Sequence, residues 1–130
     1  MKYVLALVTM LMGAASLAVA AAPPTPKIKV TGVYSSLTYN KEGGDLVGEE
    51  VIVGVSREGH YVVFQISEGE PIRPVVVPAK ITDTQISFTL PPPMSDWGEF
   101  VGQISRDGLI GKFKNGDQPL RLKRKNSYWQ

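Results

Sequence analysis

The sequence predicts an all-β fold: an antiparallel meander of about eight short strands that closes into a small barrel, with a β-sandwich as the alternative. From residue 28 onward, short runs of β-branched and aromatic residues alternate with clusters of Gly, Pro, Asn and Asp. No stretch long enough for a helix shows helical periodicity without a glycine or proline inside it. Glycines inside the predicted strands, at positions 32, 54, 102 and 111, favour the strong curvature that a closing sheet needs. The predicted strands cover residues 28–37, 47–56, 60–67, 72–78, 81–90, 98–105, 109–114 and 119–124.

The N-terminal residues carry the pattern of a secretory signal. Lys2 precedes an uncharged run over residues 3–20, which ends on small residues suited to signal peptidase. We therefore predict a signal peptide at 1–22, a proline-rich linker at 23–27 and a single β-barrel-like domain at 28–130. Because the apolar run breaks at Gly13, it predicts a cleaved signal and not an anchor. The mature chain is then exported, to the periplasm or beyond, and does not span a membrane.

The first long hairpin supports the barrel through its register. With Glu58-Gly59 as a two-residue turn, large apolar side chains face one another on one side of the sheet. The predicted pairs are Val55 with Val62, Val53 with Phe64, and Val51 with Ile66.

A second hairpin is predicted at Asp107-Gly108. This turn sets Ile104 opposite Gly111 and Phe113 opposite Gly102, so that each large side chain lies over bare backbone. Between these hairpins, residues 90–94 (Leu-Pro-Pro-Pro-Met) predict a stiff polyproline-like connector that crosses one end of the barrel. A proline-rich docking segment is the alternative.

Composition excludes several function classes. The chain has 14 Lys and Arg against 12 Asp and Glu, so removing Lys2 leaves 13 against 12, a net charge of +1. That balance argues against nucleic-acid binding. With no cysteine and one histidine, His60, the chain offers no usual zinc site and no cofactor is expected. No nucleophile–base pair accompanies His60, so we expect no enzymatic activity.

Two surface features suggest binding to a partner. On the outer face of the first hairpin, Ile52, Tyr61 and Val63 form an apolar patch, which marks either an interface or the second buried face of a sandwich. Near the C-terminus, basic residues lie close together and suggest an anionic partner, although charges of this kind also protect an edge strand. The basic residues are Arg121, Lys123, Arg124 and Lys125.

Gly32-Val33-Tyr34, followed by a meander of short strands, resembles the start of the lipocalin-like (calycin) barrels, which usually open with Gly-x-Trp. The resemblance implies that a late basic side chain, Arg121 or Arg124, packs on Tyr34. It also implies an internal cavity for a small apolar molecule. The candidate lining residues are Tyr34, Val53, Phe64, Phe88 and Phe113.

Taken together, these features predict an exported, non-enzymatic binding or interaction protein of the bacterial cell envelope. The alternative is a lipocalin-like carrier of a small apolar ligand. The sequence leaves open whether the partner is another protein, a second copy of the chain or an apolar molecule.

Overall fold

The computed structural model describes residues 17–130. The predicted signal peptide, apart from residues 17–22, therefore lies outside the described residues. Residues 17–31 carry no regular secondary structure, and the predicted linker at 23–27 is exposed. Just after the linker, Ile28 and Val30 are partly buried and pack against the hydrophobic core.

Ten strands form one antiparallel sheet. The strands are β1 Gly32–Ser35, β2 Thr38–Asn40, β3 Asp45–Ser56, β4 Gly59–Gly69, β5 Val75–Pro78, β6 Lys80–Thr82, β7 Gln85–Phe88, β8 Phe100–Ile104, β9 Gly108–Phe113 and β10 Leu120–Arg124, with a 3₁₀ turn at Ser95–Trp97. Neighbouring strands follow the order β5-β4-β3-β1-β10-β9-β8-β7-β6, and β2 pairs with β3 outside that path. The predicted all-β antiparallel meander is confirmed.

The sheet curls until its two end strands meet, and one seam stays unsealed. The end strands, β5 and β6, are consecutive in the chain and are joined through Ala79. In the continuous segment that these two strands form, β5 pairs with β4 and β6 pairs with β7. A single bent stretch of chain thus bridges the two ends of the sheet. The result is a nearly closed barrel and not a sandwich.

Two elements differ from the prediction. The stretch 81–90 was predicted as one strand, but β6 and β7 form a tight hairpin there, in which Ile81 pairs with Ile86. Asp83, at the turn, has a φ of 53°, a left-handed conformation that Asp tolerates better than most residues. The second difference is β2, a short and fully exposed strand that the sequence pattern did not indicate.

Both predicted hairpin registers are wrong by the same shift, and the faces are right. Val51 pairs with Phe64 and Val53 with Val62. In the β8–β9 hairpin, Gly102 faces Gly111. Since the shift moves each partner by two positions, every side chain stays on its predicted face. Val55, which was expected to be buried with the other apolar residues of that face, is 62 % exposed because it lies near the tip of the hairpin.

The cause of the shift is the position of the turns. Both hairpins turn at Ser-Arg-acid-Gly, at residues 56–59 and 105–108, and the middle two residues form the turn. The serine that begins each tetrapeptide caps the turn. Ser56 Oγ accepts from the Glu58 amide at 3.2 Å, and Ser105 Oγ accepts from the Gly108 amide at 3.2 Å. The glycine follows the turn and does not occupy its centre.

Inward-facing residues of the strands form one hydrophobic core. The largest fully buried side chains include Tyr34, Phe64, Phe100 and Ile86. The second half of β3 shows the alternation, because Val51 and Val53 are buried while Ile52 and Gly54 are only partly buried. The core therefore lies inside the barrel, as the period-two pattern predicts.

Candidate functional site

The most prominent concavity lies at the unsealed seam, and we call it the seam cleft. It encloses about 440 Å³, between the end of β4 and the start of β5 on one side and the proline-rich loop on the other. Its lining is mostly apolar and includes three charged side chains, Glu68, Glu70 and Arg73. The lining residues are Ile66, Glu68, Glu70, Ile72, Arg73, Val75, Pro92, Pro93, Met94 and Trp97.

A second concavity, the mouth cleft, opens at the adjoining end of the barrel. It encloses about 430 Å³ and shares Ile66, Glu68 and Trp97 with the seam cleft. The buried rings of Phe64 and Phe113 form part of its lining. The remaining lining residues are Glu49, Asn115, Gly116, Asp117, Gln118 and Leu120. The half-buried Trp97 therefore lies between two adjoining clefts.

The proline-rich loop positions Trp97 and Met94. Beyond the prolines, the backbone tightens into the 3₁₀ turn, where the Trp97 amide donates to the Met94 carbonyl at 3.1 Å. The Asn115 amide donates to the Trp97 carbonyl at 3.0 Å, and the Asn115 side chain donates to the Asp96 carbonyl at 2.7 Å. These bonds hold the loop to the chain that follows β9. The predicted connector at one end of the barrel thus forms one wall of the cleft.

The five residues predicted to line an internal cavity all lie buried in one core cluster. Phe64, Phe88 and Phe113 are in ring contact, with centroids 6.0 to 6.4 Å apart. Phe100 stacks on Phe88 at 4.8 Å and meets Phe113 at 5.1 Å. These rings occupy the interior at the end of the barrel nearest the clefts. The candidate ligand space therefore lies beside this aromatic cluster and not within it.

Tyr34 and Val53 lie in the same core, and Tyr34 contacts a basic side chain of the kind that the lipocalin-like resemblance implied. The Arg124 guanidinium lies 4.8 Å from the centroid of the Tyr34 ring. The Tyr34 hydroxyl donates to the Val30 carbonyl at 2.6 Å. Burial raises the pKa of the Tyr34 phenol, and the neighbouring Arg124 charge offsets part of that rise.

Arg124 joins segments that are distant in sequence. Its Nη2 donates to the Lys29 and Ser105 carbonyls at 2.6 and 3.1 Å, and its Nη1 donates to the Thr31 carbonyl at 3.2 Å. Its Nε donates to the Arg106 carbonyl at 3.1 Å. The other three basic residues of the predicted patch, Arg121, Lys123 and Lys125, are exposed. The structure therefore gives Arg124 a different environment from those three.

The predicted apolar patch on the first hairpin is partly covered by the end of the chain. Ile52, Tyr61 and Val63 are half-buried, and Ile52 pairs directly with Val63. Residues 127–130, which we call the C-terminal arm, lie over this face. A cleft of about 270 Å³ remains between the patch and Trp129.

Glu50 holds the C-terminal arm in place. Its side chain is only 2 % exposed, although it projects from β3 away from the core. One carboxylate oxygen accepts from Ser127 Oγ at 2.6 Å, and the other accepts from the Tyr128 amide at 3.1 Å. The Trp129 indole donates to the Gln65 side chain at 2.8 Å. Sequence reasoning missed this role, because an acidic residue on an outer face usually indicates solvent exposure.

Two further observations concern metals and membranes. Within residues 17–130, no three His, Cys, Asp or Glu side chains are grouped so as to hold a metal ion. In the same part of the chain, no helix is both long and apolar enough to cross a membrane.

No protein-family model, curated protein or solved structure matches this chain. None of the lining residues Ile66, Ile72, Met94 and Trp97 was among the site residues predicted from the sequence. The signal available for them was the proline-rich loop, because a stiff connector beside a sheet end leaves space that side chains do not fill.

Proposed function

We propose that this protein is an exported, non-enzymatic binding protein of the bacterial cell envelope, and that it binds a small apolar molecule in the seam cleft. The observation that supports the proposal is the cleft itself. Its volume of about 440 Å³ falls within the range of about 300 to 1,000 Å³ that is usual for small-molecule sites. Its mostly apolar lining with a few charged residues matches the usual composition of such sites.

The solvent exposure of apolar residues in the cleft lining adds support to the proposed ligand binding. Both Ile72 and Met94 line the cleft, and Ile72 is 38 % exposed while Met94 is 8 % exposed. A ligand that covered Ile72 would remove apolar surface from water, and this is the main favourable term in binding an apolar molecule.

The direct test is native mass spectrometry of the mature protein, purified without detergent from the exported fraction. We expect an additional apolar mass that is lost on denaturation. Ile72→Glu should reduce its occupancy, because a carboxylate would enter the apolar part of the cleft. Val76→Glu is the matched control, since Val76 is an exposed residue of β5 outside the cleft lining. Equal occupancy in both variants would contradict the seam cleft as the site.

A lipocalin-like carrier, with the ligand inside the barrel, is the second candidate. The packing of Arg124 on Tyr34, next to Gly32, supports it. Interior binding would require Phe64, Phe88 and Phe113 to separate. Phe113→Leu should therefore alter the bound mass or its affinity if the ligand is internal, while Ile72→Glu should leave both unchanged.

A further inference from the structure

The charges around the two clefts are unequal, and they indicate which kind of ligand fits. Glu68 and Glu70 stand at the seam cleft together with Arg73. Glu49, Asp117 and again Glu68 line the mouth cleft. Around the joined concavity, four carboxylates therefore face one guanidinium. The formal charge of these lining residues is therefore −3, from four carboxylates and one guanidinium, although the chain as a whole carries a formal net charge of +2.

From this charge distribution we infer that the preferred ligand is a cationic amphiphile, an apolar chain that ends in a protonated amine. The inference rests on the proposed function and names the ligand class of the same site. The apolar chain lies on Ile66, Ile72 and Met94 in the seam cleft. The amine lies toward Glu68, which lines both clefts.

Trp97 contributes to the same preference. Its indole lines both clefts, with Glu68 lining the same two. The Trp97 ring is nearly perpendicular to the rings of Phe113 and Phe64, with centroid distances of 5.2 and 6.3 Å, so contacts with the core restrict its orientation. Indole is the aromatic side chain that attracts cations most strongly. A fatty acid, in contrast, would bring its carboxylate toward like charges.

Trp97 also provides the readout. The chain has two tryptophans, so Trp129→Phe leaves Trp97 as the only one. The probes are decylamine, 1-decanol and decanoate, which share a chain length and differ in charge. Titrations at low salt should give an affinity for decylamine about tenfold above that for decanoate, with 1-decanol between them. Calorimetry on the unsubstituted mature protein repeats the comparison without any substitution.

Charge variants test the assignment residue by residue. Glu68→Gln should weaken decylamine binding about threefold and leave 1-decanol binding unchanged. Glu58→Gln, in the exposed β3–β4 turn, is the matched control and should change neither. Added salt should weaken decylamine binding selectively.

The outcomes separate the two proposals. If decylamine and 1-decanol bind equally, the cationic preference is overturned and apolar binding stands. If decanoate binds most tightly and Arg73→Gln abolishes that advantage, the cationic preference is likewise overturned in favour of an anionic ligand. If none of the three binds, the proposed function itself fails.

Discussion

At the scale of single residues, the resemblance to lipocalin-like barrels implied a basic side chain packed on Tyr34, and Arg124 occupies that position. Two candidates, Arg121 and Arg124, were left open. They lie on opposite faces of β10, and only the three-dimensional path of the chain places one of them over Tyr34. The four carbonyls that Arg124 reaches belong to segments that are far apart in sequence. Sequence periodicity contains no information about these carbonyls.

Arg124→Ala should lower the free energy of unfolding by about 1 to 2 kcal/mol, because four carbonyls lose a charged donor and Tyr34 loses its stacked cation. Urea unfolding measures the change. Arg121→Ala, at an exposed position of the same strand, should change it by less than about 0.5 kcal/mol. Equal effects of the two substitutions would show that the contacts of Arg124 contribute little.

The buried phenol of Tyr34 makes stability depend on alkaline pH. Its pKa is raised in the folded protein, so above about pH 10 the unfolded chain releases this proton while the folded chain retains it. The contribution of Tyr34 is therefore complete below pH 10 and is lost as the pH rises through the raised pKa. Tyr34→Phe should cost about 1 kcal/mol at pH 7, from the lost bond to the Val30 carbonyl.

Unfolding of the wild type and Tyr34→Phe between pH 8 and 11 provides the measurement. We expect the stability difference between them to shrink as the pH rises, since phenylalanine has no proton to release. Tyr39→Phe, at an exposed tyrosine, controls for the general effect of removing a hydroxyl. A difference that stays constant across this range would contradict the raised pKa.

At the scale of elements, the strands and their faces were predictable, and the turns were not. Period-two alternation fixes which side of β3 and β4 is buried, since a shift of one residue would expose the whole apolar set. The turn dipeptides were misplaced because Gly59 and Gly108 were assigned to the turn centres. The recurring Ser-Arg-acid-Gly tetrapeptide contained the missing signal, because a serine that caps the turn must precede its centre.

The β8–β9 hairpin depends on close approach of backbone and an aromatic ring. A Cβ atom at Gly111 would overlap the Phe100 ring and lie 2.7 Å from the Gly102 Cα. Gly111→Ala should therefore lower the free energy of unfolding by about 2 to 3 kcal/mol. At Gly116, the nearest atom would be the Phe113 carbonyl oxygen at 3.4 Å, so Gly116→Ala is the matched control and should cost less than about 1 kcal/mol. Thermal unfolding distinguishes the two, and similar melting temperatures would contradict the close packing.

The C-terminal arm depends on one carboxylate. Glu50→Ala removes the acceptor for Ser127 Oγ and for the Tyr128 amide, so we expect release of the arm and a loss of about 1 to 3 kcal/mol. Brief trypsin digestion should then cleave after Lys125 much faster than in the wild type. Glu58→Ala, at an exposed turn, should leave the cleavage rate unchanged. Unchanged cleavage in Glu50→Ala would show that Trp129 and Gln65 hold the arm without Glu50.

At the scale of the whole molecule, strand pairing is extensive between β3 and β4 and short beside the seam. The β3–β4 ladder joins eleven residue pairs, whereas β6 joins β7 through three. Closure through a short bent segment could not be read from the sequence. The stretch 72–90 suggested two ordinary strands, and nothing in its pattern showed that Asp83 would fold one of them back on itself. The seam cleft was missed for the same reason.

Hydrogen exchange should reveal this difference. Amides in the centre of β3 and β4 should exchange only through global unfolding, while amides of β5 and β6 should exchange through local opening at a much smaller free energy. The proposed ligand in the seam cleft would contact Val75 at the start of β5 and the proline-rich loop across the seam, and would therefore stabilise the closed arrangement. Saturating decylamine should therefore slow exchange in β5 and β6, with a smaller relative change at the centre of β3 and β4. Equal protection of all four strands in the free protein would mean that the seam is sealed. If β5 and β6 are weakly protected and gain nothing from a ligand that binds, the binding site lies away from the seam.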